Sequence, residues 1–216
     1  MNLFDPSPKS ALEFLPARHD LASLRAAAKD CCGCDLYREA TQVVFGEGLS
    51  HAAILLVGEQ PGDTEDRQGK PFVGPAGQLL DKCLDAAGID RAEVYVTNAV
   101  KHFKWEPRGK IRLHKKPNSL EIAACRPWLE KEIAAVRPQI IVCLGATAAQ
   151  TLLGPEFRLT RHRGEVFPTK YGPVTATIHP SAILRMPEPD AREAEIANLT
   201  GDLRVAAAYA GARSAL

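Results

Sequence analysis

Residues 52–63 read AAILLVGEQPGD, an apolar run that stops at a turn containing proline and glycine. The run is continuous rather than alternating, which is typical of a parallel strand covered on both faces. Three more runs share this pattern: EVYVTN at 93–98, QIIVCLG at 139–145 and VTATIH at 174–179. We therefore expect four buried strands, the first of them at 52–58.

In the segments between and around these strands, apolar residues recur with the spacing of a helix. The stretches lie near 20–30, at 76–88, 119–136 and 145–154, and near 190–209. Because strands and helices alternate, the sequence predicts an α/β fold, a three-layer α/β/α sandwich with a mainly parallel four-stranded central sheet. We expect a single domain over 1–216, in which residues 1–17 form an irregular N-terminal segment.

The composition is that of an ordinary globular protein. The chain has 216 residues, is 45% hydrophobic and carries 27 basic against 26 acidic side chains, which excludes disorder as its main state. Its apolar runs are too short for a membrane helix, and its N-terminus lacks a signal-peptide pattern. The expectation is a cytoplasmic monomer without a membrane partner.

Positive charge is concentrated in one segment. Residues 101–116 carry seven basic side chains against Glu106 alone, and 158–163 form a second, shorter basic run. Charge by itself is compatible with a solvated face. Phe103 and Trp105 among the basic residues favour a loop that contacts nucleic acid.

Polar turns follow all four predicted strands. They are GEQPGD at 58–63, TN at 97–98, LGAT at 144–147 and HPS at 179–181. Since the carboxyl ends of parallel strands meet at one edge of a sheet, these turns predict a ligand site there.

Three of the six cysteines have a spacing that suits metal binding. Cys31 and Cys34 form a C-x-x-C pair, and Cys125 begins the string CRPWL. On spacing alone, structural zinc, a redox pair and an accidental pattern all remain open. Cys83, on the apolar stripe of a helix, and Cys143, inside a strand, are expected to be buried thiols.

Four strings in fixed order carry a family resemblance: GEQPGDTEDRQGKPFVGPAGQLLD, TNAVK, AACRPWLEKEI and HPSAILR. Over about residues 31–203 the chain resembles the iron–sulfur uracil-DNA glycosylases of family 4. Gln60 and the segment 109–117, GKIRLHKKP, are closer to the UdgX-type subgroup, which stays covalently attached to uracil-containing DNA.

The resemblance implies a [4Fe-4S] cluster. The family has a fourth thiolate after the N-x-x-K stretch, where this chain has His102. The implied ligands are therefore Cys31, Cys34, His102 and Cys125, and histidine does replace thiolate in other iron–sulfur centres. Cys32 is an alternative to Cys31, although it would form C-x-C with Cys34.

The same resemblance implies the residues that bind uracil. A flipped base is read by hydrogen bonds and stacking, for which Asn98 would contact N3–H and O4 while Phe72 stacks on the ring. His179 would donate to the departing base as it becomes an anion. Backbone N–H groups of Gln60 and Asp63 would add donors to the same anion.

In the trapping subgroup a histidine at the position of His114 attacks the sugar C1′ after the base departs. A neutral imidazole with an orienting partner can do this, and Glu59 is the candidate partner. This chain has KIRLH where the subgroup has KRRIH, so Ile111 and Leu113 are departures. The alternation that would point His114 inward is kept. The alternative is that His114 only contacts phosphate.

Contacts with DNA are expected from six residues: Lys110, Arg112, Lys115, Arg161, Ser181 and Arg185. Ile183 or Leu184 would fill the gap left by the flipped base.

The leading hypothesis is an enzyme that excises uracil from DNA, with a preference for single strands, and then traps itself on the abasic sugar. The alternative is a multiple-turnover family 4 glycosylase without a trap. A third reading is a metal-stabilised nucleic-acid-binding module without catalysis, against which the presence of Glu59, Asn98 and His179 argues.

Overall fold

The computed structural model describes residues 10–214, and eight strands lie in this range. They are β1 (Glu47–Gly48), β2 (Ile54–Gly58), β3 (Tyr95–Asn98), β4 (Trp105–Arg108), β5 (Ile111–His114), β6 (Ile140–Leu144), β7 (Val166–Thr169) and β8 (Gly172–Thr177). Strands β4 and β5 form a separate antiparallel hairpin, and the other six form the main sheet in the order β1-β3-β2-β6-β8-β7.

Eight α-helices lie within the described residues. They are α1 (Leu21–Ala28), α2 (Asp63–Gln68), α3 (Pro75–Ala86), α4 (Ser119–Val136), α5 (Ala146–Leu153), α6 (Leu159–His162), α7 (Pro180–Leu184) and α8 (Pro189–Ser214). Short 3-10 helices cover Ala11–Phe14, Asp35–Arg38 and Arg91–Glu93. Residues 1–9 of the expected irregular N-terminal segment lie outside the described range. Between residues 10 and 214, no helix combines the length and the apolar character needed to cross a membrane.

The expected α/β fold is confirmed, with one correction to the sheet. Strands β3, β2, β6 and β8 are the four predicted ones, and they are parallel. The sheet has six strands rather than four, because β1 and β7 add antiparallel edges. Neither edge has a clear sequence signal: β1 is two residues long, and β7 contains Pro168, which weakens a strand pattern.

Both faces of the sheet are covered. Leu56 and Val142 pack on one side with residues of α3 and α8, whereas Leu55 and Ile141 pack on the other side with residues of α4 and α5. Successive side chains of a strand point to opposite faces, so a strand buried on both sides has an unbroken apolar sequence.

The strand order positions the site. From β2 the chain moves to β3 on one side and then crosses to β6 on the other side. Such a reversal opens a crevice at the carboxyl ends of the strands.

Candidate functional site

A cavity of about 760 Å³ lies at this crevice. Its lining includes six of the residues that the sequence singled out: Glu59, Phe72, His114, His179, Ser181 and Arg185. The polar turns after β2, β6 and β8 therefore do meet at one place.

Asn98 ends β3 beside this cavity and is 2% exposed. Its side-chain oxygen Oδ1 is buried and has no hydrogen-bond partner among the described residues. A Cβ at position 58 would overlap both Asn98 Oδ1 and the Phe72 ring, so Gly58 leaves the space in front of this acceptor open. A buried acceptor without a partner costs free energy, which favours a site whose partner is a ligand.

Phe72 has a backbone φ of 54°, a left-handed conformation that is rare for a bulky residue. Its carbonyl group lies so close to Gly77 of α3 that a Cβ there would collide with it. The Phe72 ring centroid is 5.9 Å from that of His179. The close approach at Gly77 thus requires a residue without a side chain beside the Phe72 backbone.

His179 has a defined tautomer. Its Nδ1 accepts a hydrogen bond from the backbone N–H of Ser181 at 3.1 Å, so the ring proton of the neutral form is on Nε2. Burial lowers the pKa of His179 to about 4, and the charges of Arg185 and His114 act in the same direction. The ring is therefore a neutral hydrogen-bond donor at neutral pH.

Glu59 follows β2 and contacts two groups. Its Oε2 accepts a hydrogen bond from the Thr147 hydroxyl, and its Oε1 is 3.6 Å from Nε2 of His114. Sequence reasoning assigned no role to Thr147. The available signal was its position in the turn after β6, at the same edge of the sheet.

The basic segment that was expected to be a loop is the β4–β5 hairpin, which turns at Gly109 with a φ of 62°. Gln60 fastens the base of this hairpin. Its Oε1 accepts the backbone N–H of Lys104 at 3.0 Å. Its Nε2 lies 3.2 Å from the Lys104 carbonyl, 3.0 Å from the Lys115 carbonyl and 2.8 Å from His114 Nε2.

Arg112 is 14% exposed and fastens the middle of the hairpin. Its guanidinium binds the carboxylates of Asp63 and Asp66 and lies over the rings of Phe103 and Trp105. Asp66 itself is fully buried. Arg112 was expected to contact DNA, but its guanidinium is bound within the protein, as is the side chain of Asp63. Sequence reasoning missed Asp66, because its partners are distant in sequence.

The His114 ring is half exposed at the mouth of the cavity. Burial lowers the pKa of His114, the Glu59 carboxylate raises it, and the Arg185 charge lowers it. Arg112 contacts helix α2 and His114 contacts the turn after β2, whereas Ile111 is exposed. Leu113 lines the cavity next to His114.

The remaining candidates for DNA contact surround this mouth. Lys110 and Arg161 are exposed, and Lys115 pairs with Glu106 at 3.0 Å. Arg185 donates to the Ser181 hydroxyl at 3.2 Å. Among the two residues expected to fill the gap of a flipped base, Ile183 is fully buried and Leu184 is 40% exposed, which leaves Leu184 as the candidate.

Three thiols share a third apolar cluster. It contains Cys31 and Cys125, with Cys34 packed against it. Sγ of Cys31 accepts the Trp128 indole N–H at 3.2 Å, and Sγ of Cys125 accepts the Lys101 backbone N–H at 3.3 Å.

No group of three His, Cys, Asp or Glu residues in the described part of the chain is arranged to hold a single metal ion. Ligands of a four-iron cluster bind its separate corners and are further apart than those of a single ion, and soft thiol donors suit such a cluster. His102 is 5% exposed, and burial lowers its pKa to about 4, which leaves a neutral imidazole. Cys83 and Cys143 are buried, as expected.

A buried ion pair connects the thiols with Asn98. The ammonium of Lys101, which is fully buried, binds the Glu132 carboxylate, the Thr97 hydroxyl at 2.6 Å and the Asn98 carbonyl at 2.7 Å. Because the backbone N–H of Lys101 also binds Cys125, one residue touches both sites.

Similarity to known proteins extends over most of the chain. A family model described as the uracil DNA glycosylase superfamily matches residues 45–204. A type-4 uracil-DNA glycosylase of Pyrobaculum aerophilum is 36% identical over 78% of this chain and 86% of its own. Type-4 enzymes of Archaeoglobus fulgidus (39% identical, over 73% of this chain and 80% of its own) and Thermotoga maritima (40%, 73% and 79%) are similar as well. Since the matched range contains the whole lining of the cavity, the chain belongs to the uracil-DNA glycosylase superfamily.

Proposed function

We propose that this protein excises uracil from DNA, with a preference for single strands, and that His114 then forms a covalent bond with C1′ of the sugar. The relation to type-4 uracil-DNA glycosylases supports the excision. The observation that carries the capture step is the position of His114 Nε2, 3.6 Å from Glu59 Oε1 in the same cavity as His179 and Phe72.

Base recognition is assigned to Asn98 and Phe72. The unpaired Oδ1 of Asn98 accepts N3–H of uracil, and its amide N–H donates to O4, a combination that cytosine does not match. Phe72 provides the stacking surface.

Base departure breaks the bond between C1′ and N1, and uracil takes the electron pair. The neutral His179 donates from Nε2 to O2, where negative charge develops. Backbone N–H groups of Gln60 and Asp63, in the turn after β2, are proposed as further donors to the anion. The Glu59 carboxylate stabilises the cationic sugar.

Capture requires a lone pair on the imidazole. The Gln60 amide nitrogen can only donate, so its 2.8 Å contact leaves the lone pair on His114 Nε2 and the proton on Nδ1. That lone pair forms the bond to C1′, and the positive charge ends on an imidazole facing Glu59. Gln60 Nε2 has two hydrogens for three acceptors, so after the bond forms both hydrogens still have carbonyl partners, on Lys104 and Lys115.

We also propose that Cys31, Cys34, His102 and Cys125 hold a [4Fe-4S] cluster. When bound, the cluster would cross-link the segment after α1, the end of β3 and helix α4. Iron and inorganic sulfide in the purified protein would support this assignment, and stoichiometric zinc without iron would contradict it.

The test of capture is an oligonucleotide with one uracil, in excess over protein, resolved on a denaturing gel. Wild type should give an adduct that saturates at one strand per protein. His114→Ser should lose the adduct but continue to release uracil with turnover, because the groups that stabilise departing uracil are intact and water can reach C1′. His51→Ser, at an exposed histidine in the loop before β2, is the control and should behave as wild type.

An adduct in His114→Ser would mean that another nucleophile is responsible. Loss of uracil release together with the adduct would mean that His114 acts in bond cleavage. Wild-type turnover without an adduct would identify a family 4 glycosylase that lacks the trap, and absence of both would identify a binding module.

A further inference from the structure

A second cavity, of about 520 Å³, lies between the first turns of α4 and helix α5. It shares two lining residues, Lys116 and Thr147, with the catalytic cavity. Thr147 is the residue that donates to Glu59. The second cavity, hereafter the flanking groove, therefore begins next to the reacting groups, and its volume lies within the roughly 300–1,000 Å³ range of binding sites.

The charge of the flanking groove is positive. Lys116 and Arg126 line it together with polar Ser119 and Gln150, and none of its described lining residues is acidic. The cavity at the far end of α3, in contrast, is lined by three aspartates and one arginine. A positive groove with hydroxyl and amide groups is suited to a phosphodiester.

Arg126 is held in place without having its charge paired. Its Nη2 donates to the Thr151 carbonyl at 2.7 Å, and its Nε has no partner among the described residues. The charge of Arg126 lowers the pKa of the Glu130 carboxyl, but that carboxylate is already bound by the Tyr171 hydroxyl and Lys170.

We propose that the flanking groove binds the backbone of a nucleotide next to the flipped uridine, with Lys116 and Arg126 on its phosphate. This inference rests on the proposed function. The neighbours of the uridine remain bonded to it while it occupies the catalytic cavity, and the adjoining groove offers them a positively charged path. Contacts to phosphate carry no sequence information, so the flanking nucleotide can be any base.

The test measures binding of oligonucleotides that carry 2′-fluoro-2′-deoxyuridine, whose fluorine disfavours the cationic sugar and prevents excision. One series grows on the 5′ side of the uridine and another on the 3′ side, both from the nucleoside alone, which carries no phosphate. The variants are Arg126→Gln and Ser119→Asp. Asp is well tolerated in the first turn of a helix, so Ser119→Asp brings a negative charge to the groove without weakening α4. The control is Lys131→Gln, on α4 but outside the groove lining.

We expect Arg126→Gln to weaken binding about three- to fivefold, as for the removal of one partly exposed charge pair. The weakening should appear only once the strand is long enough on one side to enter the groove. Over the same lengths, the slope of log K against log salt should become shallower by about 0.7, the value for one phosphate of a single strand that the variant no longer neutralises. Ser119→Asp should weaken the same oligonucleotides, and Lys131→Gln none.

An equal weakening at every length, or none at any length, would overturn the proposal. Because Arg126 follows Cys125, the visible absorbance of Arg126→Gln must match wild type. Ser119→Asp, six residues before Cys125 in the sequence, repeats the test and must also match wild type in absorbance. Excision is followed separately on ordinary deoxyuridine. If wild type releases no uracil from any strand, the proposed function fails. If uracil is released but the effect of the variants on binding does not depend on strand length, only the proposal for the flanking groove is refuted.

Discussion

At the scale of single residues, the proposed recognition of the base depends on one buried acceptor. Asn98 Oδ1 is buried without a partner in the described part of the chain, and Gly58 keeps the space before it open. The protein thus bears a desolvation cost that a bound base with an N–H at this place would remove.

Asn98→Asp should reduce uracil excision about 5- to 150-fold, because a carboxylate presents an acceptor to O4 where a donor is needed and one buried mismatch costs about 1–3 kcal/mol. The measurement is single-turnover release of uracil. Asn198→Asp is the control, at an exposed position on α8 that lines neither cavity. Unchanged excision in Asn98→Asp would remove this residue from base recognition.

Adduct formation should depend on pH through His114. Only the neutral imidazole attacks, and burial lowers the pKa of His114 below its ordinary value of 6.5. The rate should therefore be highest at alkaline pH and fall as the pH decreases, with its midpoint below 6.5. The pH dependence of the single-turnover adduct rate measures this. A midpoint above 6.5 would mean that the charge of Glu59 dominates over burial.

At the scale of elements, the hairpin determines where His114 lies. Gln60, in the turn after β2, binds the base of the hairpin, and Arg112 of the hairpin binds Asp63 and Asp66 of α2. The nucleophile proposed for capture therefore lies on the hairpin, and the groups proposed for departure lie on the main sheet and its turns.

Arg112→Gln should slow adduct formation about 10- to 100-fold, because a displacement of about 1 Å is enough for such a decrease. It removes the charge that holds the hairpin on Asp63 and Asp66. Uracil release should change much less. Arg108→Gln, at the exposed end of β4, is the control. If both rates fall equally in Arg112→Gln, the hairpin also takes part in excision.

The four parallel strands could be predicted from the sequence, because a strand that is buried on both faces is a continuous apolar run. Helix α4 begins and ends where it was expected, at 119 and 136. The hairpin was not foreseen, since its position depends on contacts such as the one between Gln60 and Lys104, 44 residues apart. For the same reason Asp66 was missed, whereas Thr147 was missed although it lies in a turn that follows a strand.

At the scale of the whole molecule, the buried Lys101–Glu132 pair connects the sheet, α4 and the thiols. Glu132 also accepts hydrogen bonds from the Tyr95 and Thr97 hydroxyls and the Gly46 N–H. Both side chains of the pair are buried, and the charge of each compensates that of the other.

Lys101→Met should lower the free energy of unfolding by about 3–5 kcal/mol, because it leaves the Glu132 carboxylate buried without a counter-charge. Denaturant unfolding measures the change. Lys82→Met, at an exposed position on α3, is the control and should stay within about 0.5 kcal/mol. Stability equal to wild type would show that Glu132 takes up a proton instead.

The edges of the main sheet have a consequence for crowded solutions. Strand β1 is two residues long, and in β7 Pro168 stands opposite Pro173 of β8. Strand β1 offers an added strand few backbone N–H donors. Strand β7 offers an interrupted row of them, since proline has no N–H. Sheets that end in this way resist growth by strand addition, so this chain should not polymerise edge to edge even when it is concentrated far above its working level.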